Sequence, residues 1–235
     1  MKRLLTLIII LLFSFYSFSQ DEEIKNDDNF GLNKKHFVHS FLNFGFMTPP
    51  KDGDGADINY GKSNSFSYGI KYRYKISETV YFGLSLYYNH QSWNIKQDEG
   101  KLIPVSTLYD SEKIILNNLG NDVFIRIKVK KKEYGFGNYI DIAPYGEWAF
   151  RTFREAKTES ANNTVLGEDY NVLKNVNPNY IETLQYGIKL KFCMGRFGIV
   201  GKYRLSDLFS EDFKQQVSST EFPRLNIGVE LGLYQ

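Results

Sequence analysis

SFSYGIKYRYKISETVYFGLSLYYNHQSW, residues 65–93, carries the alternation from which the fold is read. Phe66, Tyr68, Ile70, Tyr72, Tyr74 and Ile76 take the even positions, and Ser65, Ser67, Gly69, Lys71, Arg73 and Lys75 lie between them. Successive side chains of a strand point to opposite faces, so one face is apolar and the other polar or cationic. Ser77, Glu78 and Thr79 break the run. Val80, Phe82, Leu84, Leu86 and Tyr88 then resume it on one face, with Gly83, Ser85, Asn89 and Gln91 on the other. The two arms read as an antiparallel hairpin. This pattern suits a soluble sheet with its apolar face on a core, or a membrane barrel with its apolar face in lipid. The rest of the chain separates the two.

Met1-Lys2-Arg3 is a basic start, and Leu4 to Phe13 is an apolar run of signal-peptide length. Ser17 and Ser19 supply the small residues of a cleavage site before Gln20. The run is short for a membrane span, and no Cys follows it to carry a lipid anchor. The expectation is an exported chain: a signal peptide over 1–19, a flexible periplasmic lead over 20–35, and one β-domain over 36–235. Removal of 1–19 takes Lys2 and Arg3 away, leaving 27 basic residues against 27 acidic ones and no net charge. A neutral chain has no electrostatic footprint for nucleic acid. Cys193 is the sole cysteine, so no intrachain disulfide staples the fold. Aromatics make up 16% of the residues, with 17 Tyr and 19 Phe, which suits the aromatic girdles of a membrane barrel. No later segment has the roughly 18 consecutive apolar residues of a membrane helix.

Further strands are expected at 36–47, 119–131, 139–153, 179–194, 197–206 and from Leu225 onward. In the fourth, Val123, Ile125, Ile127 and Val129 alternate with Asp122, Arg126, Lys128 and Lys130. The fifth carries Ile140, Ile142, Pro144, Trp148 and Phe150 on its apolar side, and Pro144 predicts a bulge or a break in the ladder. Leu225, Ile227, Val229, Leu231 and Leu233 alternate with Asn226, Gly228, Glu230 and Gly232 in the last. The connections run long, short, long, short, long, short, long: loops 48–64, 94–118, 154–178 and 207–221 against turns 77–79, 132–138 and 195–196. Short periplasmic turns, long outer loops and an even strand number are the habit of outer-membrane barrels. The fold class expected is therefore all-β: an eight-stranded antiparallel up-and-down transmembrane β-barrel in the outer membrane. An eight-stranded barrel has a lumen that side chains fill. Lys71, Arg73, Arg126, Lys128, Lys189, Lys202 and Arg204 would face it, with Asp141, Glu147 and Glu230 as partners. Such charges must pair or meet water, which predicts a polar plug and leaves a selective pore cramped.

Residues 36–234 resemble the small eight-stranded outer-membrane β-barrel proteins of OmpA/OmpX type. More narrowly, they resemble the outer membrane protein beta-barrel domain and PorT-like proteins of Bacteroidetes-type Gram-negatives. The resemblance rests on the Ser17-Phe18-Ser19-Gln20 junction, the loop rhythm and the terminal strand from Leu225 to Tyr234. It implies a membrane anchor, an adhesion or resistance factor, or a secretion component. The partners it implies are outer-membrane lipid and lipopolysaccharide, the barrel-assembly machinery, and a secretion-system or cell-surface protein. Many such barrels end in an aromatic residue. Here Gln235 is last, and Tyr234 stands one place early on the other face.

Chemical motifs are sparse. Asp52-Gly53-Asp54-Gly55-Ala56-Asp57 hints at a calcium loop, but Ala56 stands where an EF-hand needs an oxygen ligand and Ser63 where it needs a Glu. His36 and His39 are three apart and face opposite ways on a strand, a poor metal pair. His90 and Ser92 share a face, and Glu99 follows. That set resembles the catalytic arrangement of lipid A deacylase barrels, in which a histidine oriented by a carboxylate activates serine. Three common residues at loose spacing weigh less than the structural pattern, so a non-enzymatic barrel without cofactor or metal is expected. A lipid A-modifying enzyme is the first alternative, and a soluble lipocalin-like barrel around a greasy ligand the second.

Overall fold

The computed structural model describes residues 29–32, 34–48, 56–130, 137–159, 170–217 and 221–234. The expected signal peptide, the lead up to residue 28, the Asp52 to Gly55 stretch, most of the 132–138 turn and Gln235 lie outside the described residues.

Nine strands form one antiparallel sheet: β1 (His36–Met47), β2 (Asn64–Lys75), β3 (Val80–Ile95), β4 (Ser111–Lys130), β5 (Asn138–Glu159), β6 (Tyr170–Val176), β7 (Leu184–Met194), β8 (Phe197–Arg204) and β9 (Leu225–Leu233). The hydrogen-bonded order is β4-β3-β2-β1-β9-β8-β7-β5-β6, and β4 also pairs with β5, so the sheet closes into a ring of eight strands. β6 stands outside the ring and pairs with Phe153–Glu159 of β5 alone. The ring strands correspond to the eight read from sequence, and the hairpin pairs as its pattern requires, with Lys75 opposite Tyr81 and Phe66 opposite His90. Ser77 sets its turn: its Oγ accepts from the Thr79 and Val80 amides at 3.3 and 3.0 Å.

The 154–178 loop is corrected by β6. In Asn171-Val172-Leu173-Lys174-Asn175-Val176 every residue is exposed, so neither face is buried and no apolar pattern marks the strand. The 94–118 loop is also shorter than read, because β4 begins at Ser111. Its start carries Ile114-Ile115-Leu116, which does not alternate, since Ile114 and Leu116 point into an apolar layer while Ile115 points outward. Helix α1 (Glu211–Gln216) lies inside the fourth loop.

Pro144 interrupts the β4–β5 ladder without shifting it. Pairing stops at Asp122↔Tyr145 and resumes in the same register at Ile125↔Ile142, while on the other edge Pro144 stays opposite Ile188. The bulge falls further along, at Phe150, where Asn117↔Arg151 and Asn118↔Ala149 differ by one residue. One extra residue reverses the phase of β5. Inward positions are odd up to Ala149 and even from Thr152 on.

The two faces of the ring differ sharply. Ile70, Leu84, Leu86, Ile125, Ile142, Ile188, Leu190, Ile199, Ile227 and Val229 point outward and are exposed. The inward face buries Arg73 and Arg126 completely, at 0% exposure each. Outward aromatics gather toward both ends, Phe44, Phe66, Tyr88, Trp148 and Phe150 near the long-loop end and Tyr74, Phe82 and Phe192 near the turns. Gly83 makes room inside: a Cβ there would lie 2.1 Å from the Phe124 ring. Gly195, with φ +67°, closes the tight β7–β8 turn in a conformation that favours glycine.

The interior has three layers. At the loop end, Trp93, Ile95, Ile114 and Leu116 from the strands meet Ile58, Ile103, Ile181, Leu208, Phe209 and Phe222 from the loops in an apolar cap. Trp93 and Phe222 stack with centroids 6.0 Å apart, a contact worth about 0.5–1.5 kcal/mol beyond its area. At the turn end Phe37, Tyr139 and Cys193 cluster with Leu32 and Tyr234. The charged layer lies between. The last residues of the lead belong to this architecture: Gly31 and His36 are tied by backbone hydrogen bonds, and Arg73 Nη2 donates to the Leu32 carbonyl at 2.6 Å. That part of the lead is held against the ring rather than loose, because a buried guanidinium takes its carbonyl.

Candidate functional site

Alternation places one polar side chain per two residues on the inward face, and closure brings those of eight strands together. Glu230 on β9 accepts from Lys71 on β2 at 2.7 Å and from Lys191 on β7 at 2.8 Å. Lys191 also reaches Asp141 on β5 at 2.8 Å, and Asp141 takes a bidentate pair from Arg126 on β4 at 2.7 and 2.9 Å. Nearer the loop end, Glu147 accepts from Lys202 at 2.5 Å and from Asn89 at 3.0 and 3.1 Å, and Lys189 pairs with Asp122. Arg204 bonds Glu221 at 3.2 Å and the Phe222 carbonyl at 3.1 Å, which ties the charged layer to the apolar cap. Bidentate and doubly bonded geometry is what a buried charge needs to offset its lost hydration.

The interior residues named from sequence are thus brought together, with two placed at the turn end. Arg73 lies between the Phe37 and Tyr81 rings, at 5.2 and 4.6 Å, and Lys128 lies 4.8 Å over Tyr81. Asp122 and Lys191 belong to the same network, and Asp122 stood on the polar side of its strand in the sequence. Glu112, which holds Lys101 at 2.5 Å and Arg154 at 2.6 Å, gave no such signal because its strand was read as loop.

Among the described residues the cavities on the inner face are small. One cavity of about 20 Å³ is lined by Phe41, Tyr87, Asn89, Glu147 and Lys202, and another of about 10 Å³ by Lys71, Asp122 and Lys189. Room of that size admits about one water molecule. It does not admit a lipid-like ligand.

Neither a protein-family model nor a curated protein matches the chain.

The His90, Ser92 and Glu99 set has different partners. His90 Nδ1 is hydrogen-bonded to Asn117 Oδ1 at 3.0 Å, and Tyr88 donates to the same oxygen at 2.6 Å. Ser92 is buried and Glu99 is an exposed loop residue. Among the described residues no hydrogen bond joins His90 to Ser92 or Glu99, and none forms a metal-binding cluster of His, Cys, Asp and Glu. His36 Nδ1 meets the Tyr72 hydroxyl at 2.7 Å on the outward face, whereas His39 is buried inside, 5.5 Å from Tyr234.

The mouth is closed by contacts that sequence did not reveal. Tyr180 stacks on Phe213 of α1 at 4.8 Å, and burial pushes its phenol up to about 12. Lys214 and Arg224 both pair with Asp207. Partial burial works against the Asp207 carboxylate, and these two cations outweigh it and hold its pKa below the usual value.

Proposed function

We propose that this chain is a non-enzymatic, eight-stranded up-and-down β-barrel of the outer membrane, with β6 as a side arm and long loops meeting the exterior. The observation that carries the reading is its inverted polarity. Apolar side chains cover the outside of the closed sheet, and ion pairs fill the inside. In water, such an exterior would be a continuous greasy band far beyond the few hundred Å² that soluble monomers tolerate. In a bilayer the same band is solvated by lipid, and closure leaves no unpaired sheet edge in the hydrocarbon. Aromatics toward both ends of the outer wall fit the two interfaces, and the basic-apolar N-terminus fits export. A lipocalin-like reading would need a greasy interior, and the central layer here is charged.

The filled interior supports a structural component rather than a solute channel, and the loops at the capped mouth are the surface offered to a secretion or cell-surface partner. Tyr234 contacts Phe37 and His39 on the inner side, with ring centroids 6.0 and 5.5 Å away.

Two tryptophans test the membrane reading. Trp148 is 54% exposed on the outer wall, and Trp93 is 2% exposed in the cap. In vesicles containing brominated phosphatidylcholine, the Trp93→Phe variant, which keeps Trp148, should be strongly quenched. The Trp148→Phe variant should not. Absence of quenching in the first, with the chain recovered in the soluble periplasmic fraction, would refute the proposal.

A further inference from the structure

Where β4, β5 and β6 extend past the ring, their outward face gathers cations just beyond the aromatics Tyr88, Trp148 and Phe150. The bulge at Phe150 decides this. It turns Phe150 and Arg151 to the same side, and the outward face of β5 then continues through Phe153, Glu155 and Lys157. The register sets Lys113 of β4 opposite Glu155 on one side and Lys174 of β6 opposite it on the other. Lys113 Nζ lies 2.9 Å and Lys174 Nζ 3.1 Å from the two Glu155 oxygens. Lys174 and Arg151 also converge on one ring, with Nζ 4.5 Å and Cζ 4.9 Å from the Phe153 centroid. Arg151 and Lys157 are exposed, and among the described residues neither has a carboxylate partner. Among the described residues of this face, two of the four cations share the Glu155 carboxylate and the other two have none.

We infer that this face binds the phosphate groups of a phosphorylated glycolipid held in the outer leaflet beside the arm. The inference rests on the outer-membrane reading above. Trp and Tyr side chains settle at headgroup depth, so Arg151, which follows Phe150 on the outward face, stands level with lipid phosphates, and Lys174, further out along the arm, reaches back to the Phe153 ring. Basic side chains facing lipid at that height gain by meeting anions, and guanidinium binds a phosphate through two parallel hydrogen bonds. The polarity of the patch therefore matches a polyanionic headgroup, and Phe153 offers an apolar seat between two of the cations.

The test uses the full mature chain in phosphatidylcholine vesicles doped with lipid A carrying both phosphates, or with the same lipid A dephosphorylated. After gentle detergent extraction and purification, the lipid A retained per protein is measured by mass spectrometry. Wild type should retain the phosphorylated lipid and not the dephosphorylated one. Each basic residue near an anionic surface contributes about fivefold, so Arg151→Gln combined with Lys174→Gln should lower retention about twenty-five-fold. Lys75→Gln, at the opposite, turn end of the ring and paired with Glu78, should change nothing. Equal retention by the double variant, or equal retention of dephosphorylated lipid, overturns the assignment. Quenching of Trp148 by brominated phosphatidylcholine in the same vesicles separates the two failures. Quenching without selective retention sinks the lipid site alone. No quenching sinks the membrane reading and the lipid site with it.

Discussion

Glu230→Gln probes whether the interior is a dry, ion-paired plug or a wet lumen. Glu230 is buried, with Lys71 Nζ at 2.7 Å and Lys191 Nζ at 2.8 Å on the same oxygen. Glutamine keeps the shape, so no cavity is opened, but it removes the charge that both ammonium groups rely on. Lys191 keeps Asp141 at 2.8 Å. Lys71 is left against the Phe41 ring, 4.2 Å away, and a cation–π contact replaces only part of a buried ion pair. Breaking a buried pair from one side costs roughly 3–5 kcal/mol. Set against a typical total of about 5–15 kcal/mol, that is a large share. Urea unfolding in vesicles, followed by the emission of buried Trp93, should show the midpoint falling accordingly. Adding Lys71→Met removes the stranded charge and should recover most of the loss. A cost below about 1 kcal/mol, the range of solvent-exposed pairs, would refute the reasoning and mean that water reaches Glu230 freely.

Leu84→Arg separates lipid from water outside: Leu84 is 39% exposed, so a soluble protein would shift by no more than about 0.5 kcal/mol, whereas a mid-bilayer position loses roughly 2–4 kcal/mol in the same urea assay. Ser106→Cys, in the loop between β3 and β4, should react with an impermeant maleimide on intact cells. Ser77→Cys, in the β2–β3 turn, should react only after the cells are opened; native Cys193 is buried and gives little background. The tether of α1 to Asp207 should be fully present above the ordinary carboxylate value of 3.8 and lost as pH falls through the depressed Asp207 value, read as faster hydrogen exchange at Phe213 and Lys214 after correction for intrinsic rates. Ser92→Ala should leave the lipid A acylation pattern of the host unchanged, and loss of a deacylated species would favour the enzyme.

The strands, their faces and the interior charges were legible in the sequence because the direction of a side chain from a strand is a local property with period two. Lys71 beside Gly69 and Arg73, or Glu230 between Gly228 and Gly232, announces its side of the wall without knowledge of any neighbour. The same rule made β6 invisible, since Asn171 to Val176 bury neither face, and hid the start of β4, where Ile114-Ile115-Leu116 is a continuous apolar run that does not alternate. Partnership was another matter. Lys71 and Glu230 are 159 residues apart, and the sequence offers several carboxylates for each cation. Only closure of the ring and the register of each pair of strands select one. The apolar cap is a case of the same kind: Ile58, Ile103, Ile181 and Phe222 come from four separate loops, and nothing local to any one of them says that they meet. The outward cations of the arm depend on a single extra residue at Phe150. A local pattern sets which way each side chain points, whereas packing across the closed sheet sets what it meets, because contact distances depend on strands far apart in the chain.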